Sequence, residues 1–221
     1  NDARSSLLTL PIAAFDKHGA QPTIPMIPIA NGDIGQNRFI GDTLLAVTDA
    51  LVKVDPKTQA VSSIPLAQGT SVVRIEPLGA NRALIAKSTG DSAVGDSAVD
   101  NLTLQSVSLD DLAKPLGEVS LQGVGQGEAR SHGFFFKPAA AGNGGTFGYA
   151  VLDASMSAGA GWGNGISNIG FFDVADTGAM TALGIVSSGD VATTCETSCT
   201  DWYGNTRPIF LGNRVFALMG S

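Results

Sequence analysis

Apolar residues in this chain fall in short, strand-length runs separated by Gly, Pro, Asn and Asp, and helical spacing is nearly absent. Leu7-Leu8-Thr9-Leu10-Pro11-Ile12 is the first run. Arg38 to Val47 reads as a strand, a Gly41-Asp42 turn and a second strand. In Leu51-Val52-Lys53-Val54, apolar positions alternate around Lys53, and Asp55-Pro56 supplies turn chemistry. Val61 to Leu66 closes the group. The same syntax returns at Val72 to Ala86, at Leu102 to Leu109 and at Leu116 to Leu121. It appears again at Gly133 to Pro138, Phe147 to Leu152, Ile169 to Val174 and Leu183 to Val186, and a last hairpin spans Ile209 to Leu218.

One hairpin repeats. Phe39-Ile40-Gly41-Asp42-Thr43-Leu44-Leu45-Ala46 aligns without a gap with Phe210-Leu211-Gly212-Asn213-Arg214-Val215-Phe216-Ala217, and Leu78 to Ile85 is a looser copy. Each is an apolar strand, a Gly/Asn/Asp turn and another apolar strand. Four-stranded units recurring every ~40–50 residues are the sequence form of propeller blades. The expected fold class is therefore all-β, a β-propeller present as an incomplete arc of about three to four blades. The whole chain, 1–221, is read as one such segment, with blade-like units near 1–68, 69–126, 127–190 and a partial 205–221. Gly-rich stretches, Ala139 to Gly145 and Ser155 to Gly165, widen the third unit as surface insertions. A β-sandwich is the structural rival, since it also has many short strands separated by turns.

Three motifs carry a family resemblance. Arg38 to Leu45 and Arg207 to Phe216 share the aromatic-apolar-Gly-Asp/Asn hairpin. Ser131-His132-Gly133-Phe134-Phe135-Phe136-Lys137-Pro138 and Gly170-Phe171-Phe172-Asp173-Val174 are the other two. Together they resemble bacterial secreted proteins with a C-terminal β-propeller domain, distantly like WD-40 repeats. The resemblance implies a propeller and a bacterial, secreted or cell-envelope setting, and it implies no catalytic motif. An open arc leaves strand edges unpaired. The remaining blades are therefore expected from flanking sequence or from another chain.

Composition agrees with a packed, exported chain: 43% hydrophobic, 15% charged, 28 Gly. The net charge of −7, with basic residues scattered singly, argues against nucleic acid and against an anionic membrane surface. No apolar run approaches the ~20 residues of a spanning helix, so membrane insertion is not expected. Localisation is expected to be extracellular, periplasmic or at the cell surface.

Cys195 and Cys199, four residues apart, are expected to form a disulfide in an oxidising compartment; half of a zinc site is the competing reading. Ser131-His132 lacks the acid and oxyanion partners of a hydrolase, and neighbours on a strand face opposite ways. Asp91, Asp96 and Asp100 are weak calcium candidates in an acidic loop, and otherwise a solvated surface. No other cofactor is expected. Gly123 to Gly127 and Gly159 to Gly163 do not open a helix after a strand, so a phosphate loop is not indicated. Asn101-Leu102-Thr103 fits the glycosylation acceptor pattern. Asp201, Trp202, Tyr203 and Asn205, beside the expected disulfide, form the favoured interaction loop, with Trp162 a second exposed aromatic.

These readings point to a non-enzymatic protein-interaction or scaffold module. Two alternatives stand beside it: a propeller hydrolase or lyase with part of its site outside this chain, and a structural subunit of a larger envelope assembly.

Overall fold

A computed structural model describes residues 4–9, 26–31, 33–89, 101–153, 166–187 and 206–219. Among these residues the chain is all-β, with a single 3-10 turn at Ser131–Gly133. Among the described residues five antiparallel sheets form, and none closes on itself. The chain divides into two compact units, Asn1–Leu66 and Ala67–Ser221.

In the first unit, β1 (Arg4–Leu8) pairs with β2 (Met26–Asn31) as a two-stranded sheet. The second sheet is a four-stranded meander in chain order: β3 (Asn37–Ile40), β4 (Thr43–Val47), β5 (Ala50–Asp55) and β6 (Ala60–Pro65). Alternation places Leu44, Ala46, Val52 and Val54 on one face, where they bury with Ile27 and Ile29 of β2. The β5–β6 connection is an Asx turn: the Asp55 carboxylate accepts the backbone N–H of Lys57 (2.8 Å) and Thr58 (3.3 Å).

In the second unit, β7 (Thr70–Pro77), β8 (Arg82–Thr89), β9 (Asn101–Ser108) and β10 (Pro115–Leu121) form the third sheet, again a meander. The fourth sheet holds β11 (Val124–Gln126), β12 (Phe134–Pro138), β13 (Gly145–Asp153), β14 (Ile166–Val174) and β15 (Met180–Val186). Both β11 and β12 lie along one edge of β13, β12 against 145–149 and β11 against 151–153. The fourth sheet thus takes in Val124–Gln126, whose partner Val151–Asp153 lies downstream. The last sheet is the hairpin β16 (Arg207–Leu211) and β17 (Arg214–Leu218).

The sheets of this unit pack in chain order. Leu84, Ala86, Leu102 and Leu104 of the third sheet bury against Phe147, Tyr149, Phe172 and Val174 of the fourth. Phe147 and Phe172 stack at 4.9 Å. The opposite face of the fourth sheet receives the hairpin: Phe210 stacks on Phe135 at 5.5 Å and meets Phe171 edge-on at 6.0 Å. Gly148 makes that approach feasible, because a Cβ there would stand 2.1 Å from Cβ of Pro208. Hence β13 is buried on both sides, with Tyr149 1% and Ala150 0% exposed. The final strands β6, β10 and β15 are exposed along most of their length.

The repeated hairpins occupy like positions. Gly41 (φ +56°) and Gly212 (φ +59°) each sit first in a two-residue turn, the glycine position of a type II′ hairpin. The registers match pair by pair: Phe39 opposite Leu44 and Ile40 opposite Thr43, against Phe210 opposite Val215 and Leu211 opposite Arg214. Each hairpin opens its sheet. The looser copy at Gly79 (φ +99°) opens the third sheet between β7 and β8.

Candidate functional site

The residues favoured from the sequence lie outside the described residues: Asp201, Trp202, Tyr203, Asn205 and Trp162, the pair Cys195 and Cys199, and the calcium candidates Asp91, Asp96 and Asp100. Among the described residues no group of three or more His, Cys, Asp or Glu side chains is placed to hold a metal ion. No helix among them is long and apolar enough to cross a membrane.

Ser131 and His132 sit in the 3-10 turn rather than on a strand, which corrects the local geometry assumed from the sequence. Gly133 fills a tight corner there, since a Cβ would stand 2.4 Å from the Glu128 carbonyl oxygen. His132 Nε2 lies 3.5 Å from Glu128 Oε2 and makes no hydrogen bond. Among the described residues, no nucleophile–base contact arises at this turn. Asn101 of the glycosylation pattern is engaged at the start of β9, where its Oδ1 accepts the Gly123 N–H at 3.1 Å.

The most developed polar site is a network beneath this turn. β7 runs Val72-Val73-Arg74-Ile75-Glu76, so Arg74 and Glu76 share a face, and both are almost wholly buried. Arg74 Nε donates to Glu76 Oε1 at 2.8 Å. Its Nη1 and Nη2 donate to the carbonyls of Glu128 (3.0 Å) and Arg130 (2.8 Å), tying the third sheet to the segment between β11 and β12. The guanidinium also stands over the Tyr149 ring, 5.8 Å from its centroid. Tyr149 donates its hydroxyl to Gln126 Oε1 at 3.1 Å, and burial pushes the phenol upward from its usual range. The Glu128 carboxylate is gripped by Arg130, whose Nε and Nη2 donate at 2.8 and 2.6 Å; this hydrogen bonding lowers it to about 2.

Arg74 spends its fork on one carboxylate and two main-chain carbonyls, groups that a strand junction would otherwise leave without partners. Its chemistry is that of a clamp between sheets rather than of an acid or base. The sequence carried a signal for it: opposite charges two apart within an apolar strand.

Among the described residues, grooves open at the turn end of the same unit. One, of about 480 Å³, is lined by Lys137, Thr146, Asp173, Asp176, Phe210 and Arg214. The other, of about 440 Å³, lies between Arg82, Leu116, Phe136, Asn143 and Thr177. Their polar groups mostly serve the turns: Asp176 Oδ1 accepts the N–H of Asn143 and Gly144, each at 2.8 Å, and Arg82 donates to the carbonyls of Asn143 and Ala175.

The last feature is apolar. On the side of the β16–β17 hairpin away from Phe135 and Phe171, Ile209, Leu211, Phe216 and Leu218 are 39, 70, 38 and 43% exposed. Comparison with protein-family models, curated proteins and solved structures yields no significant match to this chain.

Proposed function

We propose that the chain is part of a β-propeller serving as a non-enzymatic, extracellular scaffold for a protein partner. The observation that carries this reading is the recurrence of one hairpin, in one register, at the opening of the second sheet and again as the β16–β17 hairpin. Face-to-face packing in chain order in the second unit and exposed final strands agree with radial blades whose outer strands meet solvent. The exposed apolar ladder on the last hairpin supports an interaction role, because a contiguous apolar patch on a soluble fold marks a contact surface. The Asp201–Asn205 loop and Trp162 remain the proposed loop contacts.

Two measurements test the reading. A crystal structure of the chain should place the turns at Gly79, Gly142 and Gly212 on an arc about one axis; a two-layer sandwich would overturn the propeller. A screen of ester, phosphate and glycoside substrates, with and without calcium, should give only background rates. Turnover above background would overturn the non-enzymatic role.

A further inference from the structure

Glycine follows asparagine at Asn31-Gly32, Asn143-Gly144 and Asn164-Gly165. In any such pair the main-chain nitrogen of the glycine can attack the asparagine side-chain amide, because no Cβ shields it. The reaction is ordinarily slow, since the peptide nitrogen must first lose its proton. The pair Asn143-Gly144 lies in the β12–β13 connection, and there the fold supplies the groups that this step needs.

Asp176 reaches this connection from the β14–β15 turn. Its Oδ1 accepts the N–H of Gly144 at 2.8 Å and that of Asn143 at 2.8 Å. A carboxylate thus already holds the proton that the glycine nitrogen has to give up. Once that proton has gone, amide resonance spreads the negative charge onto the carbonyl oxygen of Asn143. That oxygen accepts Arg82 Nη1 at 3.2 Å, so a guanidinium stands where charge develops. The same guanidinium donates to the carbonyls of Ala175 and Asp176, which fixes its place beside the connection.

The reacting carbon can approach. Asn143 is exposed, and the hydrogen bonds it makes among the described residues come from its main chain. Gly144 is buried, and packing demands glycine there: a Cβ would stand 2.5 Å from the Val174 carbonyl oxygen. The Ala139 N–H donates to the Gly144 carbonyl at 2.9 Å, so the nucleophilic nitrogen is held on both sides.

We propose that Asn143 is a self-modification site, at which the folded chain promotes deamidation of its own side chain. The Gly144 proton passes to Asp176, and the nitrogen bonds to Cγ of Asn143 to close a cyclic imide. The Cγ–Nδ2 bond breaks, and Nδ2 leaves as ammonia with the proton that Asp176 returns. Water then opens the imide. Cleavage of the N–Cγ bond gives aspartate, and cleavage at the Asn143 main-chain carbonyl gives isoaspartate. Either product adds a negative charge beside Asp176, and isoaspartate also lengthens the main chain by a carbon atom. Gly144 lines each of the grooves at this end, so the conversion reshapes their walls irreversibly. The proposal is independent of the scaffold reading.

The test follows the Asn-Gly pairs by peptide mass mapping of the 221-residue chain, incubated at neutral pH either folded or in guanidinium chloride. In denaturant all of these sites should convert at similar rates, because each is followed by glycine. In the folded chain Asn143 should convert at least ~tenfold faster than in denaturant, a modest share of what a positioned base supplies. Asp176→Asn keeps an oxygen acceptor for both N–H groups and removes the base, so the folded rate should fall to the denatured rate or below it. Arg82→Met should slow the folded reaction several-fold. Neither substitution should alter the rates in denaturant. Folded conversion at Asn143 no faster than in denaturant overturns the proposal, and Asp176 then acts as a lock on the glycine nitrogen. An undiminished rate in Asp176→Asn overturns it as well. The comparison of folded with denatured parent needs no variant, so it decides the matter even where a substitution disturbs folding.

Discussion

Arg74→Met isolates the clamp between the third and fourth sheets. Methionine keeps most of the aliphatic stem and removes the guanidinium. Glu76, with its side chain 4% exposed, then loses a 2.8 Å charged partner. Removing one member of a buried ion pair typically costs about 3–5 kcal/mol. The carbonyls of Glu128 and Arg130 lose a donor as well, at about 1 kcal/mol each where water does not replace it. These contributions overlap, and about 4 kcal/mol is the expected loss, a large share of the ~5–15 kcal/mol that holds a typical domain. Urea denaturation followed by tryptophan fluorescence and far-ultraviolet circular dichroism measures it. Arg74→Met with Glu76→Leu removes both charges and should recover at least half of the loss. A single variant within about 1 kcal/mol of the parent, or a double variant no better than the single, would refute the clamp.

Other consequences are equally direct. Gly148→Ala drives a Cβ against Pro208 and should destabilise the second unit by about 1–3 kcal/mol, with Pro208→Gly relieving part of the loss in the double variant. Gly212→Ala meets no atom within 4 Å but forces alanine to φ +59°, so a loss of about 1 kcal/mol from strain alone is expected by thermal melting. The Glu128 carboxyl is depressed by Arg130 to about 2, so its contribution is fully present above the usual carboxylate range and fades as pH falls toward 2. Between pH 5 and pH 2.5, Glu128→Gln should flatten the fall in urea midpoint by the equivalent of about 1 kcal/mol, the pair being half exposed on the Arg130 side; an unchanged pH slope would contradict the assignment. Tyr149→Phe deletes the bond to Gln126 at a cost of about 1 kcal/mol in the same assay.

The strand syntax was legible because period-two alternation and glycine turns act locally. Val52 and Val54 around Lys53, and Gly41 and Gly212 at first turn positions, occupy the places their chemistry requires. Sheet membership was less legible. β11 reads as the tail of the preceding unit, but its partner is Val151–Asp153, a pairing decided by contacts distant in sequence. The pairing of Arg74 with Glu76 was visible in the strand, whereas its reach to the carbonyls of Glu128 and Arg130 depends on packing of the third sheet against the fourth. The open face of the last hairpin emerges only when Leu211 and Phe216 are set beside the buried Ile40 and Leu45.

Residue-resolved amide hydrogen exchange tests the equivalence of the two hairpins most directly. Leu44 and Ala46 should exchange slowly, because their N–H groups are taken by β5. Arg214, Phe216 and Leu218 should be protected by β16, while Val215 and Ala217 exchange rapidly. Protection of Val215 and Ala217 together with free exchange at Arg214 and Phe216 would mean a hairpin register shifted by one residue, and the correspondence between the first and last hairpins would be lost.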